Sequence, residues 1–191
     1  MNNLFRNYYI GSHKDYVSDI SPLIHCIGLQ GNDLVGLELG VSKSDSFMTI
    51  LDNCPNIATL YGVDNYQPFF NEHTGQYITE FEVEMIKAES FNKHKFSEHS
   101  NKIKFLQVTS EQAAAQIPDE SLDFIFIDAD HSYDAVVCDL QMWYPKIKTG
   151  GLVAGHDYHT QPVSMAVNSF RSVSNISANM STYLSCYVWR K

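Results

Sequence analysis

The pattern of apolar and polar residues along the chain predicts an α/β protein. Five short apolar runs have the length and composition of buried strands: 34–40, 60–64, 103–108, 124–127 and 152–154. Polar or helically spaced segments separate these runs, which is typical of a mostly parallel sheet with helices on both faces. The chain has 191 residues and no linker, repeat or low-complexity tract, so we expect one domain over residues 1–191.

Both ends of the chain are expected to add elements to this core. Apolar and aromatic residues in 1–30 are spaced for one or two short helices that lie on the sheet or cover a ligand. Two further segments are expected near 173–176 and 183–189. The second alternates and is rich in Tyr, Val and Trp, as a closing strand in a hairpin should be.

The segment 65–101 is unusually long for a connection between two strands. It is polar, rich in aromatic residues and histidine, and follows the carboxyl end of a strand. We expect a lid or substrate-binding insertion. The alternative is an ordinary amphipathic helix over 80–96, in which case Phe81, Met85 and Phe91 would belong to the core.

Ionisable side chains follow two successive strands in the stretch 122–158. The runs 124–127 and 152–154 are joined by a helical segment, and a right-handed βαβ unit places its two strand ends side by side. Open α/β sheets bind their ligands at this carboxyl edge. We therefore expect five side chains to converge there: Asp128, Asp130, His131, His156 and Asp157. The alternative for two of them is that Asp130 caps the next helix and His131 is solvated.

The first strand and its exit indicate a nucleoside site. Glu38 and Gly40 end this strand, where a glycine lets backbone amides approach a ligand closely. Asp64 ends the next strand, where a carboxylate can accept both hydroxyls of a ribose. This is the nucleotide-binding half of a Rossmann-like sheet. The fingerprint GxGxxG is absent, because Ser42 and Ser44 stand where more glycines are expected.

Composition excludes several partners. The formal net charge is −9 and no basic run is present, which argues against nucleic acid or an anionic membrane as the main partner. No apolar stretch approaches the roughly 20 residues of a membrane span, and no signal peptide is visible. The four cysteines are scattered, as in reduced core thiols, so we expect a cytoplasmic protein acting on a small molecule.

These segments together resemble the class I S-adenosylmethionine-dependent methyltransferases. The resemblance lies in E-L-G-V-S, V-D, F-I-D-A-D-H and G-G-L-V-A-G-H-D-Y, from about residue 34 to 158. It implies a three-layer sandwich around a seven-stranded, mostly parallel sheet with an antiparallel last strand. It also implies that S-adenosylmethionine lies against Glu38, Gly40, Ser42, Asp64, Ser110 and Asp128, with Ser110 near the adenine.

The last two of these segments, F-I-D-A-D-H and G-G-L-V-A-G-H-D-Y, are similar to those of the metal-dependent O-methyltransferases. The similarity is to both the catechol type and the macrolide- and aminocoumarin-sugar type. That resemblance implies a divalent cation, Mg²⁺ or Mn²⁺, on Asp128, His156 and Asp157. It implies a base two or three positions after the first ligand, where this chain has Asp130 and His131. His156 departs from the usual acid, and the alternatives are a softer metal, two carboxylate ligands only, or His156 as the base without a metal.

We therefore expect a methyltransferase that modifies a hydroxyl of a sugar or other small polar metabolite. An NAD-linked oxidoreductase and an inactive cofactor-binding module are the alternatives. The missing glycine fingerprint argues against the first, and the cost of burying carboxylates without a role argues against the second. The sequence leaves the oligomeric state open, and relatives that form dimers make a homo-oligomer one alternative.

Overall fold

A computed structural model describes residues 18–71 and 74–191 of the chain. Its central sheet has seven strands: β1 Leu34–Leu39, β2 Ile57–Val63, β5 Ile103–Leu106, β6 Leu122–Ile127, β7 Ile147–Gly155, β8 Met180–Tyr183 and β9 Cys186–Arg190. Their order in the sheet is β5-β2-β1-β6-β7-β9-β8. The first five strands in this order are parallel, and β9 runs antiparallel to both of its neighbours. This confirms the predicted α/β class, the mostly parallel seven-stranded sheet and its antiparallel last strand.

Helices cover both faces of the sheet. The helices are α1 Ser21–Gly28, α2 Asp45–Asn53, α3 Glu80–Phe96, α4 Ser110–Ala114, α5 Tyr133–Trp143 and α6 Gln161–Val173. Apolar side chains of α1 and α2 form one core with the sheet, and those of α4, α5 and α6 form the other. Three layers follow directly from strands that are apolar on both sides, because each face must be covered.

The register of the three central strands brings their carboxyl ends to one line. Leu39 of β1 lies opposite Ile127 of β6, and Ile127 lies opposite Gly155 of β7. The residues that follow these strands therefore start from neighbouring positions at one edge of the sheet. This is the physical basis for the site described below.

The segment 65–101 contains a small hairpin followed by a helix. The hairpin pairs β3 Phe69–Asn71 with β4 Gln76–Ile78, apart from the main sheet. Helix α3 begins at a capping box between Thr79 and Glu82 and forms the crossover from β2 to β5. Phe81, Met85 and Phe91 are 71%, 58% and 39% exposed. The alternative in which these three residues belong to the core is therefore wrong. The role of the segment 65–101 as a lid stays a prediction.

Two smaller expectations need correction. Residues 173–176 are the end of α6 and a turn, and the strand that precedes β9 lies at Met180–Tyr183. Cys54 and Cys186 are buried as expected, but Cys138 is exposed on α5. The expected helices in residues 1–17 and the side chain of His73 lie outside the described residues. Within the described ranges, no helix is long and apolar enough to cross a membrane.

Candidate active site

The loop after β1 is built around a glycine that touches β6. Gly40 has φ +86°, and a Cβ on it would lie 2.1 Å from the backbone oxygen of Asp128. The glycine is therefore required by backbone conformation and by the close approach of two strand ends. As a result, the loop expected to hold the cofactor lies directly against the first predicted metal ligand.

Ser42 and Ser44 keep the backbone shape that glycine usually provides. Their φ values are 46° and 67°, in the left-handed region. Ser44 is fully buried, and its hydroxyl hydrogen-bonds Ser90 and the Nε2 atom of His94 on α3. Burial lowers the pKa of His94 to about 4, so this histidine is neutral and structural. The serines therefore preserve the turn and anchor α3 beside it.

Asp64 organises the same loop from the end of β2. Its Oδ2 accepts a hydrogen bond from the Ser42 amide at 2.9 Å, and its Oδ1 accepts from the Tyr66 amide at 2.8 Å. Burial raises the pKa of Asp64, and these amides offset part of that rise. Tyr66, which sequence reasoning did not identify, also donates from its hydroxyl to the Ser42 carbonyl at 2.9 Å. The Val41 amide also contributes a hydrogen bond to Asp64. A carboxylate has about four acceptor positions, so Asp64 keeps room for a ribose hydroxyl.

Glu38 is a buried acid with one unoccupied oxygen. Its Oε1 accepts a hydrogen bond from Ser46 at 2.6 Å, whereas Oε2 has no hydrogen-bond partner among the described residues. Burial, and then the nearby charge of Asp128, raise the pKa of Glu38 well above its usual value. A buried acceptor without a partner is costly, and a ligand ammonium group would supply the missing donor.

Ser110 begins helix α4 at the carboxyl end of β5, after the Thr109 N-cap. Its hydroxyl donates to Asp139 at 2.5 Å and accepts from the indole N–H of Trp143 at 2.9 Å. The side chain therefore ties α4 to α5. The role of Ser110 as a cofactor residue stays a prediction.

Three side chains after β6 and β7 form a compact group, which we call the acidic triad: Asp128, His131 and Asp157. One ligand atom from each lies within 4.8 Å of the others. His131 Nε2 is 3.1 Å from Asp157 Oδ2 and 3.6 Å from Asp128 Oδ1. Burial opposes protonation of His131, but the two carboxylates outweigh it and raise its pKa. This donor set has the composition of a divalent-cation site.

His156 adjoins the acidic triad but both of its ring nitrogens are engaged. Nδ1 lies 3.2 Å from Asp157 Oδ2, and Nε2 lies 2.7 Å from Asp19 Oδ2. Burial alone would lower its pKa, but the carboxylates of Asp157, Asp128 and Asp19 raise the pKa of His156 to about 10. Asp19 was not identified from sequence, because it lies 137 positions from His156. His156 as a metal ligand stays a prediction, and in this arrangement His131 offers the imidazole.

The remaining predicted residue, Asp130, lies outside the acidic triad. Its side chain is exposed, and its Oδ1 accepts a hydrogen bond from the Ser132 amide at 2.7 Å, before the N-cap of α5. The N-cap of α5 is Ser132, so the alternative in which Asp130 caps this helix and His131 is solvated is not observed. The turn engages the Oδ1 atom of Asp130. General-base catalysis stays a prediction for Asp130 and for His131.

The family is decided by a match over most of the fold. A protein-family model described as a methyltransferase domain matches residues 37–158, which contain the β1 loop, Asp64 and the acidic triad. The chain belongs to this methyltransferase family. The enzyme class expected from the sequence is thereby confirmed. No curated protein matches the methyltransferase at a level that would indicate relationship.

Solved structures show the same fold at low sequence identity. The methyltransferase is similar to the O-methyltransferase NovP, with a TM-score of 0.62 and 19% identity over 94% of this chain and 78% of that one. An O-methyltransferase from Bacillus cereus in complex with SAH gives a TM-score of 0.62 at 13% identity, covering 88% and 79%. A putative O-methyltransferase from Klebsiella pneumoniae gives 0.60 at 11% identity, covering 98% and 83%. These likenesses support the class I fold of the methyltransferase.

Proposed function

We propose that this methyltransferase transfers the methyl group of S-adenosylmethionine to a hydroxyl of a sugar or other small polar metabolite, assisted by a divalent cation. The observation that carries the proposal is the contact between the Gly40 loop and the backbone of Asp128. It joins the nucleoside side of the site to the acidic triad. A methyl donor and an ion-bound acceptor would then be neighbours, as an in-line displacement requires.

Residues at the ends of β1 and β2 suit S-adenosylmethionine. The unpartnered Oε2 of Glu38 would accept a hydrogen bond from the ammonium group of the methionine part. Asp64 would accept the ribose hydroxyls, and Ser42 would border the same part of the molecule. Helix α4 begins at Ser110, where its backbone would face the adenine. The bound cofactor supplies the methyl group on a sulfonium, which needs no activation by the protein.

The acidic triad suits a hard or borderline cation. Asp128 and Asp157 supply two carboxylates and His131 one imidazole, so Mn²⁺ is favoured over Mg²⁺ relative to an all-oxygen site. A divalent cation here would lower the pKa of a hydroxyl acceptor bound to it.

The proton of the acceptor hydroxyl needs a base. Asp130 follows the first ligand by two positions and is exposed toward solvent, so it would take this role when His131 binds the cation. Without a cation, His131 would be the alternative base. Tyr158 and His159 follow Asp157 in the chain and would border the acceptor. The relatives named above as O-methyltransferases support oxygen as the methylated atom.

The remaining features of the proposal follow from composition. A net charge of −9 favours a small-molecule acceptor over nucleic acid. Scattered unpaired cysteines favour a cytoplasmic location. The hairpin and α3 in 65–101 would border the acceptor entrance, and a homo-oligomer is an open alternative to a monomer.

The test is thermal unfolding of the wild-type chain with S-adenosylmethionine, with NAD or without ligand, each with Mg²⁺, Mn²⁺ or EDTA. A ligand at about 100 times its Kd stabilises by roughly 2.7 kcal/mol, which raises Tm by several degrees for a chain of this size. We expect a rise with S-adenosylmethionine but not with NAD, and a further rise with Mn²⁺. A rise in Tm with NAD alone would refute the proposal. An unchanged Tm with every ligand would favour an inactive module.

Asp128→Asn should remove the rise caused by the metal. The matched control is Asp119→Asn, because Asp119 also forms an ion pair, with Lys146 at 2.7 Å, but precedes β6 at the opposite edge of the sheet. The control should respond to Mn²⁺ like the wild type. A full metal response in Asp128→Asn would exclude the proposed ligand set.

A further inference from the structure

Asp19 connects the start of the described chain to the active site. It lies two residues before α1, and its Oδ2 accepts a hydrogen bond from His156 Nε2 at 2.7 Å. Its second oxygen, Oδ1, accepts from the backbone amide of Ser185 at 3.1 Å, in the turn between β8 and β9. The carboxylate is therefore fixed by two partners that are far from it in sequence.

The His156 ring spans the space between Asp19 and the acidic triad. Its Nε2 points to Asp19, and its Nδ1 lies 3.2 Å from Asp157 Oδ2 and 3.8 Å from Asp128 Oδ1. Only 15% of this side chain is exposed. A nitrogen that donates a hydrogen bond to a carboxylate has no lone pair to offer a cation. His156 is thus arranged to support the ligand carboxylates, and it does not join them.

We propose that Asp19 is a positioning residue for the metal site: it holds the His156 ring in the orientation in which Nδ1 orients Asp157 toward the ion. The chain Asp19–His156–Asp157 is a carboxylate–histidine–carboxylate relay outside the ligand set. Such outer partners fix the direction of a ligand's lone pairs, and their loss usually costs about 10–100-fold in metal affinity. The proposal rests on the divalent-cation site of the proposed function.

The relay also gives a physical reason for a histidine at position 156. A third carboxylate beside Asp128 and Asp157 would add like charge to a partly buried site. A histidine held by Asp19 instead places hydrogen-bond donors between acids on both sides. The aromatic ring of Phe126 packs edge-on against His156 at 6.4 Å between centroids, which further limits rotation of the imidazole.

The experiment measures Mn²⁺ affinity by electron paramagnetic resonance, using the full chain and the variants Asp19→Asn, His156→Gln and the double variant. Asn at position 19 keeps the shape and the acceptor for the Ser185 amide, so the fold should persist. We expect Asp19→Asn to weaken Mn²⁺ binding about tenfold while S-adenosylmethionine binding stays near wild type. In the His156→Gln background, Asp19→Asn should have no further effect, because the relay is already broken.

A matched control is Asp52→Asn. Asp52 lies 3.1 Å from the ring of His99, so this variant also removes the charge of an aspartate paired with histidine, but away from the site. It should leave Mn²⁺ affinity unchanged. If Asp19 acted only by its charge through space, Asp19→Asn would weaken binding equally in both backgrounds, and the relay would be refuted.

The outcomes separate this inference from the proposed function. Absence of Mn²⁺ binding by the wild-type chain would overturn the metal site itself, and the relay with it. Wild-type binding with an unchanged affinity in Asp19→Asn would overturn the positioning role alone.

Discussion

Replacing Gly40 by alanine tests whether the cofactor loop and the metal site are one structural unit. The φ of +86° would cost an alanine about 1–2 kcal/mol. Its Cβ would also lie 2.1 Å from Asp128 O, well inside the 3.0 Å that real Cβ atoms keep. Relief requires β1 and β6 to separate at their ends, and such overpacking costs about 1–3 kcal/mol more. We expect a total loss of about 2–5 kcal/mol.

Gly150→Ala is the matched control. Gly150 has φ +83°, and a Cβ on it meets nothing within 4 Å, so this variant measures the backbone term alone. We expect a loss of about 1–2 kcal/mol. Urea unfolding of the three proteins gives the free energies of unfolding, and titration with S-adenosylmethionine gives the affinities. Gly40→Ala should be the less stable variant and should bind the cofactor more weakly than Gly150→Ala. Equal losses in both variants would refute the close-approach reasoning.

Three further predictions concern the site. Asp64→Ala should weaken S-adenosylmethionine binding by about 1.5–3 kcal/mol by calorimetry, through lost hydrogen bonds to a charged acceptor, and unchanged affinity would remove Asp64 from the site. Asp128→Asn should abolish metal-dependent stabilisation in thermal unfolding and keep the fold; a persistent metal effect would contradict its role. The pKa of His156 is about 10 in the folded protein, against an ordinary value of 6.5. Protonated His156 therefore stabilises the folded state fully below pH 6.5, and this contribution declines as the pH rises. With EDTA present, wild-type stability should fall by up to about 2 kcal/mol between pH 6.5 and 8.5 relative to His156→Gln, and parallel curves would contradict this assignment.

The sheet and its carboxyl edge could be predicted because their determinants are local. The run 124–127 is apolar on both faces, and Asp128 follows it directly. Adjacent residues are therefore enough to predict that this run is a buried strand and that the strand ends at Asp128. The helix over 80–96 could also be predicted from the sequence, and the structure shows its start at the capping box of Thr79. The buried face of this helix could not be predicted, because burial of an apolar residue such as Phe81 depends on what covers it.

The chemistry around His156 could not be predicted for a related reason. Its neighbour in sequence is Asp157, which favoured the interpretation of two adjacent ligands. Its closer partner in space is Asp19, at 2.7 Å, and a contact over 137 positions leaves no local pattern. The backbone conformation of Ser42 and Ser44 could not be predicted either. Both serines have left-handed backbone, which is set by surrounding hydrogen bonds and not by the residue type.

The most direct test of the central claim is a calorimetric titration of the wild-type chain with S-adenosylmethionine, with Asp64→Ala measured alongside. We expect saturable binding of one molecule per chain to the wild type, weakened in the variant. A folded wild-type chain that gives no heat of binding at several temperatures would contradict the account.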